Sequence, residues 1–209
     1  DDLAFLGLPW RGEPVFQSDR LDQYAQALDR LREMDLVYPC FLTRAELAEV
    51  LSAPHEPPTA TDVVLSADEA ARRAGSGMAP AWRLRTAKAL ELAESPTWLD
   101  LRTGSLRSVD MSAHGDVIVA RRDIRTSYHL SVVVDDMIDG VTLVTRGMDL
   151  EDSTHVHRLL QAILEIPAPA YYHHDLVCDE DGQRLAKRHD ALSISPVSYT
   201  HLTLPTIPG

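Results

Sequence analysis

Cysteines and long apolar runs are scarce in this sequence of 209 residues, and each absence excludes a class of protein. The two cysteines, Cys40 and Cys178, cannot build the disulfide framework of a small secreted module, so we expect a reducing, cytoplasmic setting. The longest apolar stretches, residues 36–42 and 132–134, are far shorter than the roughly 20 residues that a bilayer span requires. We therefore expect no membrane segment.

Basic residues are also in deficit. The chain has 20 lysines and arginines against 32 acidic residues, and its formal charge of -12 excludes a protein that coats nucleic acid along its whole surface. Any contact with nucleic acid must be local. A content of 44% apolar and 25% charged residues excludes collagen, long coiled coils and wholly disordered tails. The length fits one domain with an insertion.

Capped helices are predicted in the first third of the chain. Apolar residues recur at helical spacing over residues 18–34, where Ser18 or Asp19 is the expected cap. Residues 43–46 have the form of a capping box and predict a second helix, which the prolines between residues 53 and 61 end. Residues 66–69 repeat the capping box before a third helix.

Strands and helices alternate in the remainder of the chain. We predict strands over residues 82–85, 117–120 and 141–145, and helices over residues 86–94 and 153–166. The strand at 141–145 is expected to be buried because it is rich in β-branched residues. This alternation indicates an α/β fold.

Residues 128–154 are the first candidate for a binding site. They comprise an apolar segment, a glycine turn and a strand that places Arg146 at its carboxyl end, where ligands bind in parallel α/β sheets. Arg146 is a planar, two-pronged donor suited to a carboxylate or phosphate, and Tyr128 adds a hydroxyl. The alternative is a surface arginine paired with Asp149 or Asp152.

A basic loop at residues 181–189 is the second candidate. Its glycine turn leads into three permanent cations, Arg184, Lys187 and Arg188, in an otherwise acidic chain. Mobile cations of this kind can neutralise charge that develops on a polyphosphate leaving group. The alternative is a charged stretch that is simply solvated.

In this order and at this spacing, the two candidates resemble the class I glutamyl-tRNA synthetase family. The basic loop stands where that family has its KMSKS-type ATP-binding loop, here formed by Arg184, Leu185, Ala186, Lys187 and Arg188. Lys187 matches the lysine that contacts ATP, and Tyr128 and Arg146 match the tyrosine and arginine of the glutamate pocket. Residues 38–46 match another family landmark.

Within that family, residues 146–154 resemble the short paralogues that attach glutamate to the queuosine base of tRNA(Asp). Ordinary glutamyl-tRNA synthetases usually have Arg-Gly-Glu-Asp-His at this place. Residues 128–130 and the short spacing from Cys40 to Trp82 favour the same paralogues. Two alternatives stay open: a fragment of an ordinary glutamyl-tRNA synthetase, and a non-catalytic RNA-binding remnant.

The resemblance implies an incomplete Rossmann-like catalytic domain with an inserted α+β subdomain that binds the tRNA acceptor end. Residues 1–37 would belong to the first half of the nucleotide-binding fold, 38–116 to the insertion that faces the RNA, and 117–195 to the second half. The HIGH-type ATP motif and the acidic residue that binds the glutamate amine would precede residue 1, so the chain alone is expected to be inactive. Residues 196–209 resemble a translated sequencing adapter and are expected to be non-native; a genuine β-prone terminus is the alternative.

The implied activity is a two-step ligation by a monomer. Glutamate attacks ATP, accompanied by Mg²⁺, to give glutamyl-adenylate, and the acyl group then passes to tRNA(Asp). Arg146 and Tyr128 would bind the glutamate, and Lys187 would stabilise the phosphates during catalysis.

No resident metal is expected. Some family members have a zinc site that opens Cys-x-Cys, but here Leu42 stands two positions after Cys40. His155 and His157 point in different directions on a helix, and with His173 and His174 they are expected at the surface. The neighbouring carboxylates at residues 135 and 136 are expected to be cap and turn residues before Gly140.

Overall fold

A computed structural model describes residues 12–43, 46 and 65–178, together with residues 4 and 6–9. The chain divides into two compact units. One comprises Phe16–His174; the other comprises Asp1–Val15 and Asp175–Gly209. The helices, strands and candidate site described below all belong to the Phe16–His174 unit.

Five α-helices and seven strands are present in the described part of this unit. The helices are α1 (Leu21–Glu33, after a 3₁₀ turn at Gln17–Arg20), α2 (Ala67–Gly75), α3 (Thr86–Leu92), α4 (Tyr128–Ile138) and α5 (Glu151–Ile163, after a 3₁₀ turn at Met148–Leu150). The strands are β1 (Val37–Cys40), β2 (Ala81–Leu84), β3 (Thr97–Asp100), β4 (Ser105–Ser108), β5 (Ile118–Ala120), β6 (Leu143–Gly147) and β7 (Ala170–His174).

The strands form two sheets. An antiparallel sheet has the order β1-β2-β5, with Cys40 opposite Ala81. A mixed sheet has the order β4-β3-β7-β6: β4 and β3 form an antiparallel hairpin, whereas β3, β7 and β6 are parallel. The predicted α/β class is confirmed. Because the carboxyl ends of β6 and β7 lie side by side, Arg146 is opposite His173.

The core lies where α1, α4 and α5 pack together. Tyr24 and Leu31 of α1, Leu130 of α4, and Leu159 and Leu160 of α5 are fully buried. Full burial of one such leucine stabilises the fold by about 1.5–3 kcal/mol. The three helices therefore fix the position of the amino end of α4 relative to the parallel strands.

The capping box predicted at residues 43–46 has both of its hydrogen bonds, the one predicted at residues 66–69 has its serine cap, and most of the helix predicted after residue 46 lies outside the described residues. The backbone N–H of Thr43 donates to Glu46 Oε2 at 2.7 Å, and that of Glu46 donates to Thr43 Oγ1 at 3.2 Å. Ser66 Oγ accepts from the Glu69 N–H at 3.3 Å and starts α2. The predicted cap of α1 is wrong, because neither Ser18 nor Asp19 caps it and a 3₁₀ turn leads into the helix instead.

Two further features differ from the sequence predictions. The hairpin β3-β4 forms between the helix predicted to end at 94 and the strand predicted to begin at 117, where the sequence predicts no strand because its polar residues give no alternating pattern. The strand near 141–145 forms as β6, but it lies at the edge of its sheet within the described residues, and Leu143 is 47% exposed rather than buried.

The subdomain boundaries at residues 38 and 117 stay a prediction. β1 begins at Val37 and so runs across the boundary at 38, whereas β2 pairs with β5 across the boundary at 117. Across the residues that the structure describes, no helix is both long and apolar enough to cross a membrane.

Candidate functional site

Tyr128 and Arg146 meet at one edge of the parallel sheet. Tyr128 is the first residue of α4, whose cap Ser127 accepts from the Leu130 N–H, and Arg146 lies near the carboxyl end of β6. Arg146 Nη1 is 3.5 Å from the Tyr128 hydroxyl, which is a long contact. The two residues singled out in the sequence are therefore neighbours, and Tyr128 is 48% exposed to solvent.

The guanidinium of Arg146 is held by neutral groups. Its Nε donates to His173 Nε2 at 3.3 Å and its Nη1 donates to His157 Nδ1 at 3.1 Å. Its Nη2 donates to the hydroxyl of Thr154. Among the described residues neither Asp149 nor Asp152 forms an ion pair with it, so the geometry does not support a surface salt bridge.

Thr154 is a site residue that sequence reasoning missed. It is fully buried one turn into α5, accepts from Arg146 and lies 3.0 Å from His173 Nε2, to which its hydroxyl can donate. The available signal was the short connection from β6 to α5, which brings the first turn of the helix back to the end of the strand.

The histidines around Arg146 are buried, contrary to the prediction of surface residues. His157 and His173 are each 2% exposed and His155 is 8% exposed; of the four, only His174 is exposed. Burial, reinforced by the charge of Arg146, lowers the pKa of His157 well below its usual value and also lowers the pKa of His173. The two imidazole rings that accept hydrogen bonds from Arg146 are therefore uncharged.

Asp135 and Asp136 lie within α4, so the prediction that they are cap and turn residues is wrong. They diverge, as expected for neighbours on a helix. Asp135 accepts from Arg20 at 3.0 Å and from the Tyr24 hydroxyl at 2.8 Å, which ties α4 to α1. Burial and the neighbouring Asp135 raise the pKa of Asp136, and the charge of Arg146 opposes that rise.

The basic loop, Arg184 to Arg188 with Lys187, and residues 196–209 lie outside the described residues. Within the described part of the chain, no group of three or more His, Cys, Asp or Glu side chains is arranged to hold a metal ion. The thiols of Cys40 and Cys178 are not joined to each other.

Comparison with known proteins identifies the family to which the chain belongs. A family model for the catalytic domain of class I tRNA synthetases (E and Q) matches residues 1–207. The chain therefore belongs to the class I tRNA synthetase family, and the catalytic-domain fold predicted from the sequence is confirmed.

The curated relatives of the chain share a more specific name within this family. The chain is 41% identical over 212 residues to the glutamyl-Q tRNA(Asp) synthetase of Rhodobacter capsulatus, covering 93% of this chain and 73% of that protein. It is 41% identical to the enzyme of the same name from Nocardia farcinica, covering 60% of it, and 35% identical to that of Nitratidesulfovibrio vulgaris, covering 67% of it. The predicted resemblance to these relatives within the family is confirmed.

Solved structures agree on the fold. A glutamate tRNA ligase from Elizabethkingia meningosepticum, in complex with its amino acid, matches with a TM-score of 0.68 at 22% identity. The match covers 90% of this chain and 40% of that structure. The glutamate-tRNA synthetase of Elizabethkingia anophelis matches with the same TM-score, and 41% of it is covered. The chain thus spans part of the length of each of these proteins.

Proposed function

We propose that this chain is the part of a glutamate-activating ligase that binds the amino acid, and that the whole protein transfers glutamate to the queuosine of tRNA(Asp). The proposal rests on the surroundings of Arg146. This permanent cation donates to neutral hydrogen-bond acceptors and lies beside Tyr128, whose side chain is partly exposed to solvent. A cation whose hydrogen-bond partners in the described part of the chain are all neutral favours an anionic ligand.

The geometry of Arg146 favours a carboxylate as that anion. Nη1 and Nη2 can donate two parallel hydrogen bonds to the two oxygens of a carboxylate, the arrangement in which an arginine discriminates best. The contact from Nη1 to Tyr128 is long and can be exchanged for a carboxylate oxygen. The second hydrogen of Nη2 is available for the other oxygen, because Thr154 accepts only one.

ATP and the acceptor RNA are assigned by family membership. Lys187 would stabilise the phosphates of ATP, and Mg²⁺ would accompany the nucleotide. We expect the protein to act as a monomer in the cytoplasm. Transfer to tRNA(Asp) rather than to tRNA(Glu) is supported by the curated relatives, which carry the name glutamyl-Q tRNA(Asp) synthetase at 35–41% identity.

The deciding experiment is glutamate-dependent exchange of pyrophosphate into ATP, using the full-length protein expressed from the whole reading frame that contains this chain. The resemblance implies that the queuosine-specific paralogues activate glutamate without tRNA, whereas ordinary glutamyl-tRNA synthetases generally need their tRNA. We expect exchange without any RNA. Exchange that appears only after tRNA(Glu) is added would make the protein an ordinary glutamyl-tRNA synthetase.

Two further measurements complete the test. The 209-residue chain alone is expected to match the no-enzyme blank, because it spans 60–73% of its curated relatives. Purified tRNA(Asp) that contains queuosine should accept glutamate from the full-length protein, and the same tRNA with unmodified guanine should not. No exchange under any condition, with RNA still bound, would favour the non-catalytic remnant.

A further inference from the structure

Three aromatic rings form a triangle next to Nη1 of Arg146. Tyr128 and His129 come from the first turn of α4, and His157 comes from α5. The His129 and His157 ring centroids are 5.2 Å apart, and that of Tyr128 lies 5.3 Å from His157 and 5.5 Å from His129. Of the three, His157 is the buried one and the one that contacts the guanidinium at hydrogen-bond distance.

The hydrogen bonds of His157 assign its tautomer. A guanidinium can only donate, so His157 Nδ1 must accept from Arg146 Nη1 and carries no proton. The proton of the neutral ring is therefore on Nε2, which lies 3.1 Å from His129 Nδ1 and donates to it. Each nitrogen of the buried ring thus has one defined partner.

We propose that His157 is a positioning residue for Arg146: anchored by His129, it presents a bare Nδ1 to Nη1 and holds the guanidinium in the orientation that receives the glutamate carboxylate. This inference rests on the proposed function and extends it to a residue that does not touch the substrate. An arginine side chain loses rotamer entropy when a ligand fixes it, so an arginine that is oriented beforehand binds its ligand more tightly.

A neutral acceptor is suited to this role because it orients the arginine without cancelling its charge. A carboxylate at the position of His157 would also accept from Nη1, but it would compensate the cation that the substrate must meet. The low pKa of His157, caused by burial and by the neighbouring Arg146, agrees with a ring that remains neutral.

His155 provides a matched control on the same helix. It is also buried, at 8% exposure, and its Nδ1 accepts a hydrogen bond from the backbone N–H of Asp110 at 3.0 Å. Its ring packs against Trp98 and makes no hydrogen bond to Arg146 in the described structure. Phenylalanine at either position keeps a ring and removes the Nδ1 acceptor. His157→Phe also removes the hydrogen bond from Nε2 to His129, and the glutamine variant below accounts for that second loss.

The first test compares His157→Phe with His155→Phe in the full-length protein by glutamate-dependent pyrophosphate exchange. We expect His157→Phe to raise the glutamate KM by roughly 10-fold or more, with kcat and the ATP KM changed by less than about threefold. His155→Phe should leave the glutamate KM within about twofold of the wild type. Equal glutamate KM values in the two variants would overturn the proposal.

Two polar variants separate the acceptor from the ring. In His157→Asn the side-chain oxygen takes the place of Nδ1, so we expect the glutamate KM to return most of the way to the wild-type value. In His157→Gln the amide takes the place of Nε2 and retains the partner His129, so the high KM should persist. A His157→Asn enzyme as impaired as His157→Phe would show that the accepted hydrogen bond is not the cause.

An NMR measurement does not depend on activity or on any variant folding. The ¹⁵N chemical shifts of His157 distinguish a protonated ring nitrogen from a bare one. We expect a bare Nδ1 and a protonated Nε2 in the full-length protein at pH 7. The opposite tautomer would overturn the proposal even if exchange is normal, whereas absent exchange with the expected tautomer would count against the proposed function alone.

Discussion

The Tyr38 hydroxyl donates a hydrogen bond to Asp116 Oδ2 at 2.9 Å, between two buried residues that are 78 positions apart in sequence. Asp116 Oδ1 accepts from the backbone N–H of Thr86 at 2.9 Å, and its carbonyl oxygen accepts from Arg83. The Asp116 carboxylate therefore connects β1 and the start of α3 to the segment that leads into β5. Burial, followed by the bond to Asp116, raises the pKa of Tyr38 to about 12, so its hydroxyl stays protonated as a donor.

Asp116→Ala should be strongly destabilising. Its removal leaves the Tyr38 hydroxyl and the Thr86 N–H buried without their acceptor, and we expect a loss of about 2–4 kcal/mol in the free energy of unfolding. Urea denaturation of the full-length protein measures the loss. Asp123→Ala is the control, since its pair with Arg121 is exposed to solvent and should contribute little to stability. If the two variants lost the same free energy of unfolding, the hydrogen bonds of Asp116 would not be important for stability.

Arg146→Lys and Arg146→Ala should raise the glutamate KM by about 10- to 100-fold, because neither side chain can donate a bidentate pair of hydrogen bonds. The ATP KM should change little. Pyrophosphate exchange at varied glutamate concentration gives both constants, and Arg30→Lys, at an exposed arginine that pairs with Glu165, is the matched control. A normal glutamate KM in Arg146→Ala would leave Arg146 with a structural role only.

Lys187→Ala should lower kcat by roughly 100-fold or more, because it removes a charge directed at the phosphates in the transition state. The glutamate KM should stay close to that of the wild type. Steady-state exchange separates the two constants. Lys88→Ala removes a lysine whose partner is Asp35, at 2.7 Å, and should leave kcat unchanged. If kcat of Lys187→Ala is as high as that of Lys88→Ala, Lys187 does not stabilise the phosphates of ATP during the reaction.

Stability should fall in mildly acidic solution. Burial, followed by the charges of His114 and Arg146, lowers the pKa of His129 to about 4 from the usual 6.5. As the pH falls below about 6.5 the unfolded chain takes up this proton before the folded protein does, so folding loses free energy between roughly pH 6.5 and 4. For His129 alone we expect a loss of about 1 kcal/mol between pH 7.5 and 5.5.

Urea denaturation at the two pH values measures this loss. The free energy of unfolding of His129→Gln should depend on pH by about 1 kcal/mol less than that of the wild type between these two values. An unchanged pH dependence in His129→Gln would mean that this ring titrates normally in the folded state.

Deletion of residues 197–209 should change the free energy of unfolding by less than about 1 kcal/mol, because a non-native segment has no evolved packing partner. The same urea experiment compares the 209-residue chain with the shortened one. A larger loss would show that this segment packs as a genuine terminus.

Local pattern was sufficient for much of the fold. The spacing of apolar residues predicts α1, and the capping box at Ser66 and Glu69 predicts the start of α2, because both signals depend on neighbours within one or two helical turns. The hairpin β3-β4 could not be predicted in this way. Its first strand, β3, pairs with β7, which lies some 70 residues further along the chain.

The same distinction applies to the site. Tyr128 and Arg146 could be picked out as a pair, because their residue types and spacing resemble those of a known family, and the structure places them together. The burial of His157 could not be predicted, because a histidine two positions from another histidine does not extend a pattern of apolar residues at helical spacing. It is buried because α4 and β6 close over it with His129 and Arg146, contacts that exist only in the folded protein.

The pairing of Cys40 with Ala81 has a consequence for how this protein can vary. The last residue of β1, Cys40, and the first residue of β2, Ala81, lie directly opposite each other in the sheet although 40 residues separate them in sequence. The entropy of closing a loop grows only with the logarithm of its length, by about 0.6 kcal/mol for each doubling. Segments of quite different length could therefore be exchanged at this point while the sheet keeps its register, which makes it a natural position for lineage-specific elaboration.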